Sequence, residues 1–79
     1  VRVRLFASLR EAAGQAETEL DLPDGATAET AWQALAARHP TLAGRRKSLT
    51  AAVNRLYVPF DAPLAEGDEV VFVPPVSGG

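Results

Sequence analysis

Few side chains in this sequence are equipped for chemistry. No cysteine occurs among its 79 residues, which removes disulfides, zinc-finger and iron–sulfur ligation and thiol catalysis together. The lone His39 cannot make a metal site without carboxylate partners. It falls at the end of a helical pattern, where interaction with the last helix carbonyls accounts for it. Arg45-Arg46-Lys47 is a short basic run of the kind expected in a solvated loop rather than a docking patch. The informative segment is Val73-Pro74-Pro75-Val76-Ser77-Gly78-Gly79. Two consecutive prolines end a strand because neither donates to a ladder. Terminal Gly-Gly arises by chance in only about 0.5% of sequences at average glycine usage. Glycines let a backbone thread a narrow channel and bend at its end. A free α-carboxylate on Gly79 can attack the α-phosphate of ATP to give an acyl-adenylate. A sulfur nucleophile can then displace AMP and leave a thiocarboxylate. Such a carrier needs no catalytic side chain of its own.

The elements that would position this end follow from periodicity. Val1 to Phe6 alternates apolar and polar, the pattern of a half-buried strand, with Val1, Val3 and Leu5 inward and Phe6 an apolar misfit on the outer side. Ser8 to Ala13 reads as a short helix closed by Gly14. Glu17 to Leu22 alternates again, with Leu20 and Leu22 inward, before a Pro23-Asp24-Gly25 turn. Thr27 is placed to cap the main helix, Ala28 to Arg38, and Glu29 suits its dipole. Ala28, Ala31, Trp32, Leu35 and Ala36 make one apolar stripe with Trp32 as its anchor, and Pro40 stops the helix. Leu49 to Val53 and Leu56 to Val58 read as strands joined by Asn54-Arg55. Pro59 makes the second an edge. Glu69 to Pro74 is the last strand. The expected order is β-α-β-α-β-β-β, with the first and last strands central and adjacent. The expected fold class is α+β: a β-grasp, or ubiquitin-like, five-stranded mixed sheet with one main helix across one face. Residues 1–74 form the domain and residues 75–79 a flexible Gly-Gly tail, which extended reaches about 17 Å.

Composition bounds the function classes. A chain of 79 residues with net charge −2 is one small domain, and its charge argues against gripping phosphate backbones. No apolar stretch approaches the roughly 20 residues needed to span a bilayer. The expectation is a soluble, cytoplasmic protein with no nucleic acid and no membrane among its partners. On the outer sheet face Phe6, Tyr57, Val71 and Val73 fall opposite the inward residues of their strands. With the first and last strands adjacent they can form one apolar patch, which marks an interface.

The start Val3-Arg4-Leu5-Phe6-Ala7-Ser8-Leu9-Arg10-Glu11-Ala12-Ala13-Gly14 resembles the opening of the molybdopterin synthase small-subunit family (MoaD). So do Ala51-Ala52-Val53-Asn54, Asp61-Ala62-Pro63-Leu64 and Gly67-Asp68-Glu69-Val70. The ending Pro74-Pro75-Val76-Ser77-Gly78-Gly79 is similar to that family's closing signature, and Pro-Pro-Val-Ser narrows it beyond the Gly-Gly shared by ubiquitin-like sulfur carriers. The resemblance implies that an E1-like adenylyltransferase (MoeB-type) adenylates the Gly79 carboxylate with ATP and Mg²⁺. A relay ending in a persulfide donor then forms the thiocarboxylate, and Gly78 gives the tail its flexibility. It also implies insertion of the tail into a large subunit (MoaE-type) in a heterotetramer, where sulfur passes to cyclic pyranopterin monophosphate. Phe6, Tyr57, Val73, Pro75, Val76 and Ser77 are then the partner-binding residues, with no cofactor or metal bound by the chain itself. Carriers for thiamine or tRNA thiolation and ubiquitin-like protein modifiers share the activation step and stand as alternatives.

Overall fold

Alternation in β1 (Arg2–Leu5) buries Val3 and Leu5 and leaves Arg2 and Arg4 on the other face. The computed structural model describes residues 1–74. After β1 come α1 (Ala7–Ala13), β2 (Glu17–Glu19), α2 (Ala28–Arg38), β3 (Thr50–Val53), β4 (Leu56–Val58) and β5 (Glu69–Val73), with 3₁₀ turns at Pro40–Leu42 and Arg46–Ser48. The sheet order is β2-β1-β5-β3-β4. β1 and β5 run parallel and adjacent, and the remaining pairs are antiparallel. This is the five-stranded mixed β-grasp sheet expected from the pattern, with β4 and its following Pro59 at an edge.

Helix α2 begins where Thr27 caps it. The Thr27 hydroxyl accepts from the Thr30 N–H at 3.3 Å, and the Thr30 hydroxyl accepts from the Thr27 N–H at 3.0 Å. The apolar stripe then faces the sheet: Ala28, Ala31, Trp32 and Leu35 are buried, and Ala36 lies partly buried at the border. Trp32 meets Phe72 of β5 edge-on, with ring centroids 5.1 Å apart, and Phe60 stacks on Phe72 at 5.9 Å. Such aromatic pairs add about 0.5–1.5 kcal/mol each beyond the area they bury. Val3, Leu5, Leu9, Leu42, Ala51 and Val70 complete the core.

Three local expectations are corrected and a fourth is met with an addition. Phe6 is not a strand residue but the N-cap of α1, although its extended backbone (φ −124°, ψ 157°) continues the line of β1. β2 stops at Glu19 because its partner β1 begins at Arg2; Leu20 keeps one bond to the Val1 carbonyl and remains buried. Pro40 ends α2 as expected but also opens a 3₁₀ turn. The His39 ring faces Gln15, with Nε2 3.2 Å from the Gln15 amide nitrogen, and not the helix carbonyls; only its backbone N–H bonds to Leu35. That contact ties the end of α2 to the loop after α1.

The basic run is also less free than a solvated loop. Arg46 Nε donates to Glu29 Oε1 at 2.6 Å, and its guanidinium lies 3.4 Å from the Phe60 ring centroid. The Gln33 amide donates to the other Glu29 oxygen at 2.8 Å. Gln33 first, and then Arg46, hold the Glu29 carboxyl below its ordinary value despite some desolvation.

Candidate partner-binding face

The outer face of the sheet can be followed row by row from the strand register. One row runs Glu17, Arg4, Val71, Ala52, Tyr57 across β2, β1, β5, β3 and β4. It passes from charge at one edge to apolar surface at the other. The row below contains Glu19, Arg2 and Glu69, and the row above pairs Val73 with Thr50. Phe6 follows Leu5, which pairs with Phe72, so the register sets Phe6 beside Val73. Phe6 lies on the Arg4 side of the sheet, with that guanidinium 5.7 Å from its ring centroid.

Exposure separates this face from the core. Phe6 is 43% and Tyr57 76% exposed, while Val71 and Val73 are half-buried. Phe6, Tyr57, Val71 and Val73 therefore do lie on one face, as the alternation requires. Sequence reasoning missed Ala52, which is buried but joins Val71 to Tyr57 in the same row, and Leu56, which is 70% exposed on the neighbouring edge position. The signal for Ala52 was its parity with Tyr57 across a two-residue hairpin. Leu56 carried no such signal: it opposes Val53 and is exposed because it lies on the sheet margin, outside the helix that covers the core.

Two local devices hold this face in place. The β3–β4 hairpin closes through Asn54 and Arg55, both left-handed at φ 49° and 73°, as a two-residue turn matched to strand twist requires. Asn54 then reaches across to the start of β5. Its amide donates to Asp68 Oδ1 at 2.9 Å, its carbonyl oxygen accepts from the Glu69 N–H at 3.1 Å, and its own N–H bonds to the Glu69 carbonyl at 2.8 Å. The other Asp68 oxygen accepts from the Ala65 N–H at 2.8 Å. The Ala65 bond, followed by that from Asn54, holds the Asp68 carboxyl below its ordinary range. This clamp gives a physical reason for Asn54 and Gly67-Asp68-Glu69 to occur together.

Charges border the apolar half. Arg2 pairs with Glu17 at 3.0 Å and Arg4 approaches Glu69 at 3.9 Å. Both pairs are exposed enough that each contributes at most about 1 kcal/mol. Their main consequence is to keep one side of the face polar. A groove at the opposite end of the sheet is lined by Leu20, Leu22, Pro23 and Leu64 with Asp21 and Glu66. Its lining brings together no nucleophile with a base. Pro75, Val76, Ser77, Gly78 and Gly79 lie outside the described residues.

Comparison with known proteins gives a consistent answer. The model of the ThiS family matches residues 3–79. The molybdopterin synthase sulfur carrier subunit of Escherichia coli is 44% identical over 81 aligned positions, covering 100% of this chain and 99% of that protein. The same subunit of Chlamydomonas reinhardtii is 42% identical, covering 100% and 98%. The crystal structure of small archaeal modifier protein 1 from Haloferax volcanii superposes with a TM-score of 0.90 at 32% identity, covering 99% and 97%. No helix among the described residues is long and apolar enough to cross a membrane. With a family match over nearly all its length and relatives of this identity from end to end, the chain belongs to the ThiS family.

Proposed function

We propose that the chain is a sulfur carrier that acts as the small subunit of a molybdopterin synthase. The observation that carries this is the 44% identity to the Escherichia coli sulfur carrier subunit across essentially the whole of both chains. The exposed apolar face gives the large subunit a surface to grip, and Val73 on that face directly precedes the Pro74-Pro75-Val76-Ser77-Gly78-Gly79 ending. In this scheme an E1-like adenylyltransferase binds the chain with ATP and Mg²⁺. A Gly79 carboxylate oxygen attacks the α-phosphorus and pyrophosphate leaves. The terminal sulfur of a persulfide donor then displaces AMP to give an acyl disulfide. A second thiol cleaves its S–S bond and is itself oxidised to a disulfide with the donor, and the released thiocarboxylate is delivered to cyclic pyranopterin monophosphate in the large subunit. Phe6, Tyr57 and Val73 dock the folded domain, Pro75, Val76 and Ser77 line the way into the partner, and Gly78 lets the end turn.

The test is intact mass spectrometry after incubation with the activating enzyme, ATP, Mg²⁺ and a sulfur donor. Exchange of one oxygen for sulfur at Gly79 is expected, followed by its loss when large subunit and pyranopterin are added. Adenylation that survives deletion of Gly79 would overturn the scheme. A second reading, a protein modifier, is favoured by the TM-score of 0.90 to the archaeal modifier. It predicts isopeptide-linked adducts of Gly79 on other proteins, and both readings share the adenylation step.

A further inference from the structure

Arg2 and Arg4 leave the same strand on the same face of the sheet, yet they are held differently. Arg2 Nε lies 3.0 Å from Glu17 Oε1, a close ion pair. Glu17 is the residue that the register sets opposite Arg4, so this diagonal pairing takes away the cross-strand carboxylate of Arg4. Arg4 is left with Glu69, whose Oε2 is 3.9 Å from Nη1. That distance is too long for a hydrogen bond. Arg4 has no other ion pair among the described residues, and its side chain is 43% exposed. Its fork of donors is therefore open to solvent.

This guanidinium stands at the seam between the polar and apolar halves of the outer face. Its central carbon is 5.7 Å from the centroid of the Phe6 ring, and the register sets Val71 beside Arg4 across the β1–β5 pair. The row continues from Val71 through Ala52 to Tyr57. A surface that covers Phe6 and Val71 thus covers Arg4 as well and strips water from it. A guanidinium cannot shed its proton to escape that cost. Buried without a hydrogen-bonded counter-charge it is strongly unfavourable, whereas a carboxylate meets its fork with two parallel bonds. The face therefore discriminates: a purely apolar partner is penalised, and one with a carboxylate at that point is not.

We propose that Arg4 is a specificity-determining residue of the docking face, and that the large subunit seats an Asp or Glu carboxylate on its guanidinium between Phe6 and Val71. This rests on the large-subunit reading above and adds the chemistry of the contact. On docking, the loose approach to Glu69 gives way to a bidentate pair with the partner, while Arg2 keeps Glu17.

The test is a titration of the large subunit from the same organism with the full chain and with Arg4→Leu, Arg4→Lys and Arg2→Gln, at low and at high salt. Arg4→Leu separates the two kinds of contact by sign. It enlarges the apolar patch, so a contact that is only apolar would tighten or stay unchanged. With a carboxylate opposite, the same substitution strands that charge, and binding should weaken by about 30-fold or more, through faster dissociation. Arg4→Lys keeps the charge without the fork and should recover part of the loss. Arg2→Gln should change the affinity by less than about fivefold. Binding of the unaltered chain should also fall with salt more steeply than that of Arg4→Leu. Denaturation midpoints are measured alongside, and if Arg4→Leu is unfolded, Arg4→Gln replaces it with the same expected weakening. Equal or tighter binding after loss of the Arg4 charge, or an equally large loss in Arg2→Gln, overturns the assignment of Arg4. A large subunit that does not bind the unaltered chain overturns the reading on which the assignment rests.

Discussion

The two faces of the sheet start from the same period-two alternation. On the inner face Val3, Leu5, Ala51, Val70 and Phe72 are closed off by α2 through Trp32 and Leu35. On the outer face no helix among the described residues packs over Val71, Val73 and Tyr57; Phe6 and Tyr57 remain 43% and 76% exposed, while Ala52 is buried between its strand neighbours. An apolar residue on the first face contributes to folding in the free chain. One on the second contributes little until a partner covers it. A small fold can thus keep stability and recognition on separate sets of residues only one position apart in sequence.

Substitutions test that separation. Phe72→Ala should have the largest effect, because Phe72 packs against both Trp32 and Phe60. Its expected cost is about 3–5 kcal/mol, seen as a collapse of the denaturation midpoint. A loss below about 1 kcal/mol would show that the inner face is not the main source of stability. Tyr57→Ala and Phe6→Asp should behave in the opposite way. Tyr57→Ala should leave stability within about 0.5 kcal/mol, and each substitution should weaken large-subunit binding by about 30-fold or more. Unchanged affinity in a titration, or an unfolded Phe6→Asp, would erase the distinction between the faces.

Smaller effects concern how the outer face is held. Asn54→Gly keeps a residue that tolerates φ 49° but removes the side-chain bonds to Asp68 and Glu69. A loss of about 1–2 kcal/mol is expected, measured by urea unfolding. The pH dependence has a definite sign. The Asp68 and Glu29 carboxyls are held below their ordinary values of 3.8 and 4.5. A carboxyl lowered in the folded state stabilises it fully above the unfolded value, and that contribution disappears as pH falls through the folded value. Stability should therefore decline below about pH 4.5, with a shallower slope in Asp68→Asn. An identical slope in that variant would remove Asp68 from the account. The smallest expected effect is a gain: Ala7 sits at φ 51°, so Ala7→Gly should stabilise by up to about 1 kcal/mol. A decrease in thermal midpoint would show that helix propensity outweighs the relief.

Much of this is legible in the sequence. The Thr27 cap, the stripe through Trp32 and Leu35, the edge position of the strand before Pro59 and the adjacency of the first and last strands all follow from local pattern. Thr30 as the reciprocal partner of Thr27 was not legible, because the usual capping box carries Glu or Gln three residues after the cap and here a Thr hydroxyl takes that place. The roles of Arg46 and His39 were not legible. Each depends on a residue distant in sequence: Glu29 and Phe60 for one, Gln15 for the other. A charge run and a helix-end histidine look the same whether or not such partners arrive.

By itself, then, the sequence determined the element order, which residues alternate inward and outward, the lack of any sulfur-bearing side chain and the Gly78-Gly79 ending. These are matters of residue type and spacing along one chain. Only the tertiary structure decided that Ala52 bridges Val71 and Tyr57, that Leu56 falls outside the helix cover, and that Asn54 locks to Asp68. Register across strands that are distant in sequence sets those neighbours, and it is fixed by packing of the whole sheet against α2.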